Sequence, residues 1–499
     1  IVNVSLKSGT NEFHGTLFHF FRNTALNAQE FFANAQGTPK PVIKLNQYGW
    51  ELGGPIRKNK TFFFGSWQGQ KVNFEDPVDK QFGESVDLYT ATARTGIFRY
   101  FRPNAANPLT LNGVRITQNS PLLVDRATGA LAAGVRTCGS ETDLGCVASY
   151  NIPGADPRGI GLDRLTGGLL RSYPTPNSFA LGDGLNTGVY VWNPPFKIRG
   201  PHYMMRVDHT FNEYNNLFVR YLGSEQNTLG GDPLNGRPQV IPGFPPRGEV
   251  FRPAHNAAIG YRRVFSPRLV NELTLGFARF NFLFTRGEAN PNFPNIPPFT
   301  FNNVDVDYTN APRTARQVTT YQLIDTMSYV TGKHVYKFGG NIRFYQHNDQ
   351  RGDLGGGNVT PAVSLSQTIR APQGFAAAPG IAAPDNTRLQ GAINDLLGIP
   401  ARLQQIFLGD LRADTFLPFR SGEKAVTLWN QGQRAKQFNF FAQDEWKLSR
   451  KLTMTYGLRW EINLAPTEAG GRAYTADRMI DGREGPVTFR NTKRWYQNN

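Results

Sequence analysis

From Gln437 to Glu461 the chain reads QFNFFAQDEWKLSRKLTMTYGLRWE, and this stretch decides the fold. Its second half alternates strictly, with Leu452, Met454, Tyr456, Leu458 and Trp460 against Thr453, Thr455, Gly457, Arg459 and Glu461. Successive side chains of a strand point to opposite faces, so this is a ribbon with one apolar and one polar side. The first half repeats the design, with Phe438, Phe440, Ala442 and Trp446 against Gln437, Asn439, Gln443 and Glu445. Lys447 to Lys451 between them is short and charged, sufficient only for a tight reversal. The apolar side of this hairpin meets either a protein core or lipid, and the rest of the chain bears on that choice.

The same rhythm recurs upstream. Strand-like segments run over Phe13–Arg22, Gln47–Ile56, Thr61–Trp67, Tyr203–Asp208, Leu217–Tyr221, His255–Phe265, Leu269–Leu283, Val318–Val330 and Val335–Gln346. Their connections alternate long and short throughout: about five tight turns and about five loops of roughly 25 to 130 residues, the asymmetry of membrane β-barrels. The longest loop, from Val72 to Gly200, holds both cysteines and shows little periodicity. A soluble domain rarely tolerates loops of this length, and the spacing is too irregular for propeller blades. The polar face carries Arg22, Arg206, Arg343 and Arg459, which a dry core would accept only if paired, whereas a wet lumen takes them freely. The expected fold is therefore all-β, a transmembrane antiparallel barrel with its apolar side towards lipid. Arg206, Arg343, Arg459 and Glu461 are the lumen-facing candidates, with Gln443 and Glu445 beside them. Trp446 is expected in the aromatic girdle at the short-turn end and Trp460 towards the opposite interface. Asp444 falls on the lipid-facing parity, which a bulge or a position at the membrane edge would explain.

Composition agrees. The 499 residues have a mean hydropathy of −0.42 and no apolar run near the ~18 residues of a membrane helix, which excludes helical spans and leaves barrels open. Asn386 to Leu397 is the best candidate for a short helix. The net charge of +16 comes from 54 basic residues spread along the chain, so nucleic acid is not an expected partner. Cationic loops near lipopolysaccharide phosphates, or an anion-attracting lumen, suit that distribution better. Cys138 and Cys146 are read as a loop-closing disulfide of an oxidising compartment, with two unpaired thiols as the alternative.

Enzymatic readings find no support. Gly65-Ser66-Trp67-Gln68-Gly69 misplaces its serine for a nucleophile elbow. His14 and His19, five apart on a strand, point to opposite faces. Asp349, Asp353 and Asn358 lack the spacing of a calcium loop, and Arg351-Gly352-Asp353 is an adhesion tripeptide in letters only. No cofactor or metal is expected.

Several stretches resemble the Oar-like branch, of acidobacterial type, of the TonB-dependent outer-membrane receptors. They are Val2-Asn3-Val4 with Lys7-Ser8-Gly9-Thr10-Asn11-Glu12-Phe13-His14-Gly15, Phe20-Phe21-Arg22-Asn23, and Leu52-Gly53-Gly54-Pro55-Ile56 with Lys58-Asn59-Lys60-Thr61-Phe62-Phe63-Phe64. Further on come Arg206-Val207-Asp208-His209, Gly332-Lys333-His334 with Lys337-Phe338-Gly339-Gly340, and Gln443-Asp444-Glu445-Trp446-Lys447. The resemblance implies a barrel of about 22 strands, half of it within this chain, filled by an N-terminal plug. Residues 1–10 would end the plug domain and residues 11–499 would form the N-terminal portion of the barrel. It also implies uptake of a scarce extracellular ligand, such as an oligosaccharide, peptide or chelate. Energy would come from the TonB complex, acting through a region ahead of this chain. The alternative from another class is an adhesive or structural outer-membrane barrel without energised transport. Outer-membrane lipid and lipopolysaccharide are expected partners of either.

Overall fold

A computed structural model describes residues 6–31, 34, 40–75, 85–104, 110–111, 114–115, 123–232, 239, 241–244, 246, 248–284, 299–305, 314–351, 362–404, 407–410, 415–418, 431–469, 474–480 and 483–491. Its frame is one antiparallel meander. The strands are β1 (His14–Asn23), β2 (Ile43–Arg57), β3 (Thr61–Glu75), β4 (Pro195–Asn212), β5 (Asn215–Ser224) and β6 (Ala254–Ser266). They continue as β7 (Leu269–Phe284), β8 (Thr314–Thr331), β9 (His334–Arg351), β10 (Gln431–Lys447) and β11 (Thr453–Asn463). Each pairs with its neighbours in sequence, so the sheet order is the chain order. No crossover is needed, and each short turn simply reverses the chain. Among the described residues no helix is long and apolar enough to cross a membrane, which leaves crossing by strands untouched.

The register separates two chemistries cleanly. One row runs Val207↔Val219↔Ile259↔Leu275↔Leu323↔Ile342↔Phe438↔Ile462 straight across eight strands. The row one residue along runs Arg206↔Arg220↔Ala258↔Gly276↔Gln322↔Arg343↔Gln437↔Asn463. A one-residue step along a strand flips the side chain to the other face, so these rows lie back to back. Mid-sheet members of the apolar row are open to solvent: Val219 is 43% exposed, Ile259 45% and Leu275 46%. Leaving such a side chain in water forgoes about 1.5–3 kcal/mol each. Repeated over a whole face, that loss is tolerable only if the face meets lipid.

The strands outrun the membrane. β4, β8 and β9 have 18 residues each, against the roughly 9–11 that a tilted crossing strand needs. Their extra length lies at the long-loop end, where the polar face becomes a packing surface. Val72 is fully buried there, and Phe74 stacks on Phe196 with ring centroids 5.4 Å apart.

The long connections are where the structure departs from expectation. Val72–Gly200 is no featureless loop: β3 runs on to Glu75, β4 begins at Pro195, and much of what lies between is folded. Strand Ile97–Arg102 pairs with Cys146–Asn151, and Ser85–Tyr89 pairs with Thr187–Val191. Segments of four connections share one core that includes Phe98, Tyr100, Leu170, Ile241, Phe301, Leu365, Leu389 and Leu396. We call this unit the cap. It has no periodic signature because each loop supplies only a fragment of the core. Its longest helix among the described residues, α1 (Ala383–Leu397), starts three residues ahead of the segment expected from sequence and buries Leu389, Ala392, Ile393, Leu396 and Leu397. Gly398 ends it in a left-handed conformation (φ 63°), as a residue without a Cβ does at least cost.

Candidate functional site

The four candidate polar-face residues do share a face. Arg206 and Arg343 belong to one register row, and Arg459 and Glu461 have the parity of Asn463, which ends it. They do not form one site: Arg206 lies on β4, Arg343 on β9, and the other two on β11. Arg206 is the most constrained. Its Nε and Nη2 donate to Asp208 Oδ2 and Oδ1 at 2.8 and 2.7 Å, and the guanidinium lies over the Phe218 ring, 5.0 Å from its centroid. Arg459 and Glu461 are a loose, exposed pair at 3.9 Å. Between these charges the floor is shallow, because Ala258, Gly276 and Ala278 carry small side chains or none.

Sequence reasoning gave Arg206 a place but no partner. Arg206 Nη1 donates to the Leu6 carbonyl at 3.4 Å, so the segment ahead of β1 lies on the polar face. The neighbouring residues form a clasp that accounts physically for the Lys7-Ser8-Gly9-Thr10-Asn11 motif. Lys7 Nζ meets Glu51 Oε1 at 2.8 Å. A Cβ on Gly9 would sit 2.2 Å from the Phe63 carbonyl oxygen and 2.8 Å from that of Gly54, so only glycine permits this approach. Asn11 Nδ2 donates to Asn59 Oδ1, and its own Oδ1 accepts from the Asn59 amide, both at 2.7 Å. Asn59 itself has φ 62° at the tip of the β2–β3 turn. Residues 1–5 lie outside the described residues.

The cap has a polar centre within its core. Asp395, on α1, accepts from Tyr89 Oη at 2.6 Å, from the Asn302 amide at 2.9 Å and from Asn302 Nδ2 at 2.7 Å. Asn303 Nδ2 donates in turn to Tyr89 Oη and to the Arg388 carbonyl. Three connections, those carrying Tyr89, Asn302 and Asp395, are thereby tied at one carboxylate. Burial pushes the Asp395 carboxyl up to about 6 against the pull of these donors. Burial and then the neighbouring carboxylate hold the Tyr89 hydroxyl well above its usual range. Burial also raises Asp385, opposed by its ion pair with Arg388.

Cys138 and Cys146 are joined in a disulfide at the edge of the cap. The turn it closes is ordered by Asp143, whose Oδ2 accepts from the Gly139 amide at 2.7 Å. The buried Arg102 guanidinium braces the turn by donating to the Ser140 and Glu141 carbonyls and, across the cap, to that of Pro379.

At the short-turn end, Asp444 finds its explanation. The β9–β10 and β10–β11 registers run through it without a shift, so no bulge is involved. It lies on the apolar face three residues from the end of β10, accepting from Tyr456 Oη and bonding His334 Nδ1, each at 2.7 Å. His334 stacks on Tyr336 and Trp446, which places the carboxylate inside an aromatic rim. The edge position expected for Trp446 thus accommodates the misplaced charge as well.

Among the described residues no three His, Cys, Asp or Glu side chains converge to hold a metal. His14 and His19 pair with Gly53 and Tyr48 and so stand on opposite faces. Asp353 and Asn358 lie outside the described residues.

No curated protein matches the chain. Among solved structures, the siderophore receptor PirA from Acinetobacter baumannii aligns at 10% identity and a TM-score of 0.38, over 95% of this chain and 42% of that one. A ferric enterobactin receptor mutant from Pseudomonas aeruginosa aligns at 10% identity and 0.36, over 93% and 42%. The ferric-catecholate import receptor Fiu from E. coli K12 aligns at 10% identity and 0.29, over 91% and 60%. This chain therefore spans less than half the length of the first two. The family described as an outer membrane beta barrel domain matches residues 5–497. With an unbroken strand meander, one apolar face and one charged face, this chain belongs to that outer-membrane barrel family and lies in the outer membrane.

Proposed function

We propose that the protein is an outer-membrane receptor of the Oar-like, TonB-dependent kind, which binds a scarce extracellular ligand at its cap and admits it through the lumen. In this reading residues 1–10 end a plug domain and residues 11–499 begin the barrel. Arg206, Arg343, Arg459 and Glu461 then line the path. The observation that carries it is the clasp. Leu6, Lys7 and Gly9 are held against the charged face by Arg206, Glu51 and the β2–β3 backbone, as the exit of a domain seated inside the barrel would be. A wide barrel needs such a filling to stay closed.

The test uses the intact protein in a planar bilayer, beside a variant lacking everything up to residue 10. The intact barrel is expected to be electrically silent and the deletion to conduct as an open pore. Conductance in both, or silence in both, refutes the plug. Binding of the periplasmic domain of TonB to the intact protein separates the transport reading from the adhesive one. No binding would favour adhesion.

A further inference from the structure

We infer that the membrane-facing wall carries a site for a phosphorylated lipid headgroup of the outer leaflet, built from Lys44, Lys71, Lys197 and Arg199 on β2, β3 and β4. The inference rests on the barrel spanning the membrane and is independent of the receptor reading.

Parity places all four on the apolar face. Lys71 pairs with Arg199 on one side and Asn46 on the other, while Lys44 and Lys197 both pair with Asn73. Val72 and Phe196, next to them in sequence and so on the other face, are buried, and the cations stand on the outside of the wall. Directly opposite residues such as Lys71 and Arg199 have Cβ atoms about 5 Å apart and diagonal ones such as Lys71 and Lys44 about 7–8 Å, so four positive charges share a patch three strands wide. Arg199 is fixed there, with Nη1 donating to the Val72 carbonyl at 2.6 Å and Nη2 to Asn73 Oδ1 at 2.5 Å. Among the described residues none of the three lysines has a carboxylate partner. Glu75, at the end of β3, is engaged by the Val42 amide.

Height decides what the patch meets. Lys71 is ten residues from Thr61, which opens β3 at the short turn. At about 3.3 Å per residue and a tilt of about 40°, that is about 25 Å, the height of an outer-membrane apolar band. Directly below lie Tyr48 and Trp67, their rings 5.8 Å apart, which is where an interfacial girdle belongs. Two further cations of this face share that height. Arg279 and Lys436 lie ten residues from Leu269 and Trp446 at the short-turn ends of β7 and β10. Near the opposite rim stand the Asp444 carboxylate and the Arg263 guanidinium, each three residues from the short-turn end of its strand. Cations clustered at the outer interface meet the phosphate of the lipid there, and Arg with Lys is the donor set that binds it.

The experiment reconstitutes the intact protein in vesicles containing bisphosphorylated lipid A and measures co-purifying lipid by native mass spectrometry. Parallel vesicles hold dephosphorylated lipid A or phosphatidylglycerol. Retention of the bisphosphorylated lipid is expected to exceed that of the other two at least tenfold and to fall at least tenfold in K44Q/K71Q/K197Q. K447Q/R450Q/K451Q, at the other rim, should leave it unchanged. Equal retention of dephosphorylated lipid A, or of phosphatidylglycerol, overturns the site without recourse to any variant. So does full displacement by millimolar inorganic phosphate, which would indicate a simple anion site. Undiminished retention in the triple lysine variant overturns the assignment of residues. Heat-modifiable gel mobility reports that each barrel is folded.

Discussion

Raising the pH should loosen the cap by a predictable amount through Asp395. Burial pushes its carboxyl up to about 6 in the folded cap from an ordinary value of 3.8. The folded state therefore holds this proton over a pH range in which the unfolded chain has released it, so stability is greatest below the unfolded value and falls as pH rises through 6. Two pH units amount to about 3 kcal/mol over the full window, of which about 2 kcal/mol falls between pH 4.5 and 7.5. Asp385, also raised by burial, acts in the same direction. The assay is hydrogen exchange by mass spectrometry on the barrel in vesicles, followed at α1 and corrected for the intrinsic pH dependence of exchange. Protection of the amides from Leu389 to Leu397 should drop roughly 20- to 30-fold between those pH values. Asp395→Asn should remove most of that slope and Asp385→Asn a smaller part, while strands β7 to β9 report no change. Wild-type protection that is flat with pH, or a slope that survives Asp395→Asn, would refute the reasoning.

Three further outcomes follow from the same geometry. Reducing the Cys138–Cys146 bond, or replacing both cysteines by serine, should cost the cap about 2–3 kcal/mol, because the closed loop is short; exchange should quicken around residues 123–147, and equal thiol labelling before and after reduction would contradict the bond. Gly9→Val should expel the clasp, since its Cβ has no room against the Phe63 and Gly54 carbonyls. Disulfide trapping between Lys7→Cys and Glu51→Cys should then fail in that background while succeeding in the parent. Tyr456→Phe removes one of the two groups bonded to the buried Asp444 and should lower unfolding stability in urea by about 1–3 kcal/mol. Tyr214→Phe, at an exposed turn, should have no such effect.

The sequence by itself determined the wall. Alternation with a period of two is a local property, legible residue by residue, and it sorted Arg206, Arg343, Arg459 and Glu461 onto one face before any register was known. The alternation of long and short connections followed from counting, and it fixed a meander because a tight turn leaves a strand no partner but its predecessor. Two things were illegible for one reason: they depend on contacts between segments far apart in the chain. The cap draws its core from Phe98, Ile241, Phe301, Leu365 and Leu396, so no single loop carries a periodicity to read. The clasp pairs Lys7 with Glu51 and Leu6 with Arg206, separations at which spacing says nothing. Asp444 lies between these cases. Its parity was visible in the sequence, but only the tertiary structure supplied His334 and Tyr456, and with them the reason a charge can stand on the apolar face.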